Sequence, residues 1–148
     1  MRKKLKITAI ITSILIILLL IYKFIYPTYM DTYSVKGDYV PSIKTVLNQT
    51  KFVSNYNVKT SKERIIKTFT YKNQDNVIED IKKYTNYLIQ MEQFEVLKSY
   101  DLDDFNNKDI YLGKLSHINQ DYIILMDIEY TSSSYKITIE KKKGTLLK

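Results

Sequence analysis

The chain has 148 residues, a net charge of +7, no Cys, no Trp and a single His. One domain of ordinary size fits that length. Disulfides, thiol nucleophiles, thiolate metal sites and multi-His metal sites are excluded by composition.

The positive charge is concentrated at the start. Arg2, Lys3, Lys4, Lys6 and Lys23 precede the first acidic residue, Asp31. Residues 27–148 carry 18 basic and 16 acidic groups, a near-neutral balance that removes the case for nucleic-acid binding.

Residues 7–22 read ITAIITSILIILLLIY, without charge, Pro or Gly. With Phe24, Ile25 and Tyr26 the apolar stretch reaches the ~20 residues that a helix needs to cross a ~30 Å hydrocarbon core. Tyr22, Tyr26 and Tyr29 sit where an aromatic belt would lie, and Lys23 is placed to snorkel. No small-residue cleavage site follows, and there is no Cys for a lipid anchor. Residues 1–6 are therefore expected to be a cytoplasmic basic segment and residues 7–26 an uncleaved transmembrane signal anchor in contact with the lipid bilayer. Basic residues ahead of the span keep the N-terminus inside and place the rest outside, at the cell membrane. A composition rich in Lys, Ile, Asn and Tyr, with two Arg and one Ala, points by codon usage to a low-GC bacterium.

Residues 27–42 hold both prolines and one of three glycines, and are expected to be a linker. The extracytoplasmic domain is expected over residues 43–148. It begins with a short apolar run, Ile43–Leu47. Thr50–Val58 and Glu63–Lys72 follow, two strands by their aromatic and β-branched content. The second places Ile65, Lys67, Phe69 and Tyr71 on one face. Asn76–Gln93 changes period: Val77, Ile81, Tyr84, Leu88 and Met91 form one helical stripe, and Asn76 with Glu79 has capping-box spacing. Four more strands are predicted, Phe94–Tyr100, Ile110–His117, Tyr122–Tyr130 and Tyr135–Lys142, the last three as a meander. The fold class is α+β: a transmembrane helix, then a small antiparallel sheet with one packed helix, in the order β-β-α-β-β-β-β. Residues 36–148 are expected to fold without the anchor.

No catalytic, cofactor or metal residue is assigned. Asp101, Asp103, Asp104 and Asp109 form the densest acidic group, but an EF-hand reading fails because Phe105, Asn106 and Leu112 fall where a ligand, Gly and Glu are required. A solvated loop is expected there. His117 has Ser116 and Asp121 nearby, but neighbours along a strand point to opposite faces, so a surface His is expected. Tyr56, Tyr71, Tyr100, Tyr111, Tyr122, Tyr130 and Tyr135 lie in strands, either as ordinary half-buried residues, the favoured reading, or as a stacking face. Lys141–Lys143 read as charges protecting a strand end, with an anionic wall polymer or headgroup as alternative.

The run DYVPS, the later helix and the stretch IILMDIEYTSSSY together resemble small membrane-anchored proteins of clostridia-like Firmicutes, over roughly residues 38–144. The resemblance implies a bacterial envelope location and carries no active-site residue. The function expected is a non-enzymatic binding or interaction module of the envelope, its partner an envelope protein or wall polymer. The alternatives are a carboxylate-dependent wall or peptide hydrolase using the Asp101–Asp109 region, and an immunity or inhibitor protein.

Overall fold

A computed structural model describes residues 2–25, 30–98 and 109–146, and within the first helix the side chains of Thr8 and residues 10–22. The elements are α1 (Arg2–Ile25), β1 (Thr32–Val35), β2 (Asp38–Pro41), α2 (Ile43–Leu47), β3 (Asn55–Thr60), β4 (Arg64–Tyr71), α3 (Val77–Gln90), β5 (Glu95–Lys98), β6 (Asp109–Leu115), β7 (Tyr122–Tyr130) and β8 (Tyr135–Lys143). Among the described residues no helix is long and apolar enough to cross a membrane.

Six strands form one antiparallel sheet in the order β3-β4-β8-β7-β6-β5. The predicted strand–strand–helix–four-strand order is present, and β6, β7 and β8 form the expected meander. The α3 connection carries the chain from β4 to the far edge of the sheet, leaving a gap that β8 later fills. Alternation then assigns the faces. Phe69 and Tyr71 of β4, Ile137 and Ile139 of β8, and Met126 and Ile128 of β7 are buried on the side that meets Ile81, Tyr84 and Leu88 of α3. Lys67 shares that face half-buried, and burial lowers its pKa.

The 27–42 linker is corrected over most of its length. Residues 32–41 are a hairpin, β1 paired antiparallel with β2, and Tyr33, Val35 and Val40 are completely buried in the core. The turn between them is Lys36-Gly37, with φ of 43° and 88°. A two-residue turn with both φ values positive has the twist that joins right-handed strands, and Gly takes such a φ without a Cβ penalty. A Cβ on Gly37 would also lie 2.6 Å from Ile118 Cδ1, so the turn sits directly on the β6–β7 loop. The run Ile43–Leu47 is a short helix. Ser42 Oγ accepts from Thr45 N at 3.3 Å at its start, and Asn48 closes it in the left-handed conformation, with its N–H on the Lys44 and Thr45 carbonyls.

Other local expectations shift. Sheet pairing of β3 starts at Asn55 rather than Thr50. The strand after α3 starts at Glu95, one residue past the buried Phe94. The α3 stripe is buried from Val77 to Leu88, but Met91 lies past the last turn and is 68% exposed. The capping box does not form. Asn76 makes no side-chain cap bond, and Glu79 instead reaches forward to Lys83 at 2.6 Å. Asp80, on the inner side of the same turn, pairs with Lys51 at 2.5 Å.

Tyrosine is a core residue in this fold. Tyr33 stacks on Phe69 with ring centroids 4.4 Å apart, and its hydroxyl meets that of Tyr71 at 2.7 Å. Burial pushes the Tyr71 hydroxyl up to about 12. Tyr130 and Tyr135 are buried as well, so these strand tyrosines do not form a stacking face. Two hydroxyls differ in a testable way. Tyr84 Oη donates to the Pro41 carbonyl at 2.9 Å, linking α3 to β2, whereas Tyr135 Oη is buried without a partner among the described residues. Tyr84→Phe is expected to cost about 1 kcal/mol by leaving a carbonyl unpaired, and Tyr135→Phe to cost nothing or to stabilise slightly. Urea melts of the two variants check the contrast, and equal losses would contradict it.

Candidate functional site

A buried polar cluster is built on Asp38, the first residue of β2. The turn at Lys36-Gly37 points its carboxylate into the sheet, where it is 3% exposed. Lys141 Nζ donates to Asp38 Oδ2 at 2.5 Å and Ser116 Oγ donates to the same oxygen at 2.6 Å. The His117 backbone N–H donates to Oδ1 at 3.0 Å. Burial by itself would raise this carboxyl. The Lys141 and Ser116 hydrogen bonds, the Lys141 charge and the His117 N–H outweigh burial and hold it below the usual carboxylate range.

A serine beside a lysine and an aspartate invites a nucleophile reading, and the geometry rejects it. Ser116 Oγ donates to Asp38 and accepts from the backbone N–H groups of Ile118 and Asn119 at 3.3 and 3.2 Å. Its lone pairs are occupied and it is 2% exposed, so no electrophile has an approach for attack. Lys141 is equally committed, donating also to the Lys36 carbonyl at 3.0 Å. The cluster is a latch between the hairpin and the main sheet. Lys141 is thereby corrected from a surface charge to a buried one.

His117 leaves its ring exposed and contributes only its backbone N–H. Ser116 turns away to Asp38, so Ser116, His117 and Asp121 do not assemble as a triad. His117 does line an open cleft of about 620 Å³ with Glu92, Glu95, Lys114, Gln120 and Leu146. Its buried cation is already satisfied. Lys114 Nζ lies 2.8 Å from Glu92 Oε2, donates to the Glu92 carbonyl at 3.1 Å, and sits over the Phe94 ring.

A second cleft, of about 580 Å³, lies at the opposite end of the sheet and on its outer face. Asp109, Asp127 and Glu129 line it with Tyr130, Thr131, Ser134 and Lys136. Register explains the gathering: Asp109 opposes Glu129, and Asp127 lies two residues before Glu129 on the same face. Lys98 pairs with Asp109 at 2.5 Å, and Lys136 pairs with Glu129. Burial, followed by the charges of Glu129 and Asp109, raises the pKa of Asp127. Of these three carboxylates only Asp109 belongs to the acidic group that the sequence analysis names. The two-residue spacing on β7 was the available signal. Among the described residues no group of three or more acidic or imidazole side chains is arranged to hold a metal ion. Asp101, Asp103, Asp104 and Tyr100 lie outside the described residues.

The chain matches no family model, and no curated protein or solved structure compared with it is significantly similar.

Proposed function

We propose that this protein is a single-pass, membrane-anchored extracytoplasmic binding module of a bacterial cell envelope, held to the bilayer through residues 7–26. The observation that carries the proposal is α1. Its large described side chains from Ile10 to Tyr22 are 46–62% exposed on every side, with no polar face to meet water. Thr12 Oγ1 donates to the Thr8 carbonyl at 2.9 Å, which satisfies a hydroxyl without solvent. In the sequence Ile7 and Ala9 on one side and Phe24, Ile25 and Tyr26 on the other continue the apolar stretch. A non-enzymatic role is supported by the saturated Ser116 and Lys141 and by two clefts that are open rather than enclosed. The partner proposed is an envelope protein or wall polymer.

A reporter fused after Lys148 that works only outside the cytoplasm is expected to be active, and the purified protein is expected to retain Met1 or Arg2 at its N-terminus. Reporter activity only in the cytoplasmic form, or an N-terminus beyond Leu20, would overturn the topology. A carboxylate-dependent hydrolase is the second reading, favoured by the cleft that gathers Asp109, Asp127 and Glu129, where burial and the two neighbouring charges raise the pKa of Asp127. It requires that envelope polymer be cleaved by the native chain and left intact by Asp127→Asn.

A further inference from the structure

We propose that the segment after β8 is a releasable strap that clamps the edge strand β5 and, through it, controls the charges around Asp127. Gly144, at φ 153°, turns the chain out of β8, and its N–H donates to the Asp121 carbonyl at 2.9 Å. Leu146 then lies across the outer face of the sheet. A Cβ on Gly113 of β6 would stand 2.8 Å from Leu146 Cδ2, 2.7 Å from Leu97 Cδ1 and 3.2 Å from Leu125 Cδ2. The missing side chain at 113 is the notch in which leucines from the strap, β5 and β7 meet. Ile123 and Leu125 are buried there, outside the main core. Thr145 and Leu146 make no hydrogen bond among the described residues, so apolar contact alone holds the strap. Segments held in that way open locally before the sheet does.

β5 is the strand that needs a clamp. It ends the sheet, has four residues and pairs with β6 at three positions, with a register shift between Val96 and Lys98. Such a bulge turns two successive side chains to one face. Leu97 meets the strap at the notch, and Lys98, the next residue, pairs with Asp109 at 2.5 Å on the same outer face. Asp127 faces Glu129 on its own strand, Asp109 and Tyr111 of β6, Lys136 of β8 and Lys98 of β5. Lys98 and Lys136 are the cations that favour its ionised form. When the strap lifts, β5 loosens, Lys98 leaves and Asp127 holds its proton to higher pH. The strap and the acidic cleft thus lie at opposite ends of the outer face, joined by one two-residue step in β5. The inference does not depend on where α1 lies or on what the domain binds.

The test uses the full-length chain in mild detergent, as native protein, Leu146→Asp and Gly113→Ala. The first variant charges the strap. The second fills the notch, and because a methyl there meets only the tips of leucine side chains, it displaces the strap rather than the backbone. Amide hydrogen exchange across β5 is expected to quicken several-fold in both variants, with β7 and β8 unchanged. The titration midpoint of Asp127, followed by carboxyl NMR, is expected to rise in both. Lys98→Gln is expected to raise that midpoint with the strap intact, and adding Leu146→Asp to it to raise it no further. Unchanged β5 exchange in the two strap variants, or equal acceleration in every strand, would overturn the strap. Additive shifts of the Asp127 midpoint in the double variant would overturn the route through Lys98. The two strap variants act from opposite sides of the notch, so if one fails to fold the other decides.

Discussion

A fragment beginning at Lys36 is expected to lose its cooperative thermal melt, whereas one beginning at Met30 keeps it. The six residues between them include the whole of β1. Tyr33 and Val35 are completely buried, and Tyr33 stacks on Phe69 while its hydroxyl meets Tyr71 and accepts from the Ile43 N–H at 3.4 Å. Losing a buried aromatic side chain costs about 3–5 kcal/mol. Full burial of Val contributes about 1.5–3 kcal/mol more. That is comparable with a total stability of about 5–15 kcal/mol, so the shorter fragment has little left. Removal of β1 also takes away the partner of β2 and uncovers Phe69. Circular dichroism melts of both fragments, with Tyr33→Ala in the longer one, check the claim. Melting temperatures within a degree or two would show that the hairpin only rests on the domain. The expectation from sequence that residues 36–148 suffice leaves out four buried or half-buried positions, Met30, Tyr33, Ser34 and Val35, and these fragments decide between the two.

Breaking the Asp38–Lys141 pair is the second large effect. The two side chains are 2% and 4% exposed. Removing one partner of a buried ion pair leaves an uncompensated charge, at a cost of about 3–5 kcal/mol. Asp38→Ala is expected in that range because Lys141, Ser116 and the His117 N–H all lose their acceptor. Lys141→Met is expected to cost less, since Asp38 keeps two donors. The double variant is expected to be well short of the sum, the sign of direct coupling. The pH dependence follows from the depressed pKa of Asp38. The folded state holds the carboxylate more tightly than the unfolded chain, so its contribution is complete above the unfolded pKa of about 3.9 and is lost as pH falls through the lower folded value. Chemical melts from neutrality down to the acid range are expected to show this loss in the native chain and not in Asp38→Asn. Additive single variants, or an acid slope unchanged by Asp38→Asn, would show that the pair is not coupled.

What was legible in the sequence is what periodicity encodes. The α3 stripe and strands β3, β4, β6, β7 and β8, of six to nine residues, are long enough for a period to be counted, and the compact turns between β6, β7 and β8 fix their order. The hairpin was not legible because its strands have four residues each and Pro41 ends one of them. Its signal was Lys36-Gly37 between Tyr33-Ser-Val35 and Asp38-Tyr-Val40, a two-residue turn between alternating runs. Capping by Asn76 failed because spacing alone does not set the backbone angles a cap needs. The buried cluster on Asp38 was not legible, and of the outer carboxylates only Asp109 was. Asp38 lies 78 residues from Ser116 and 103 from Lys141, and only the packing of the hairpin against the main sheet brings them together. Lys141 looked like one of three surface lysines; the strand's alternation turns it inward, opposite Ile124.

The position of β8 has a consequence for how the chain reaches this state. β8 is last in chain order but lies between β4 and β7. Until it is available, β3–β4 and β5–β6–β7 are separate pieces with bare inner edges and uncovered apolar rows, including Phe69 and Met126. Folding cannot proceed from the N-terminus as the chain emerges, because closing the sheet joins Arg64 to Lys142 across most of the domain. A chain that ends between Tyr130 and Tyr135 therefore holds two unjoined half-sheets rather than a smaller domain.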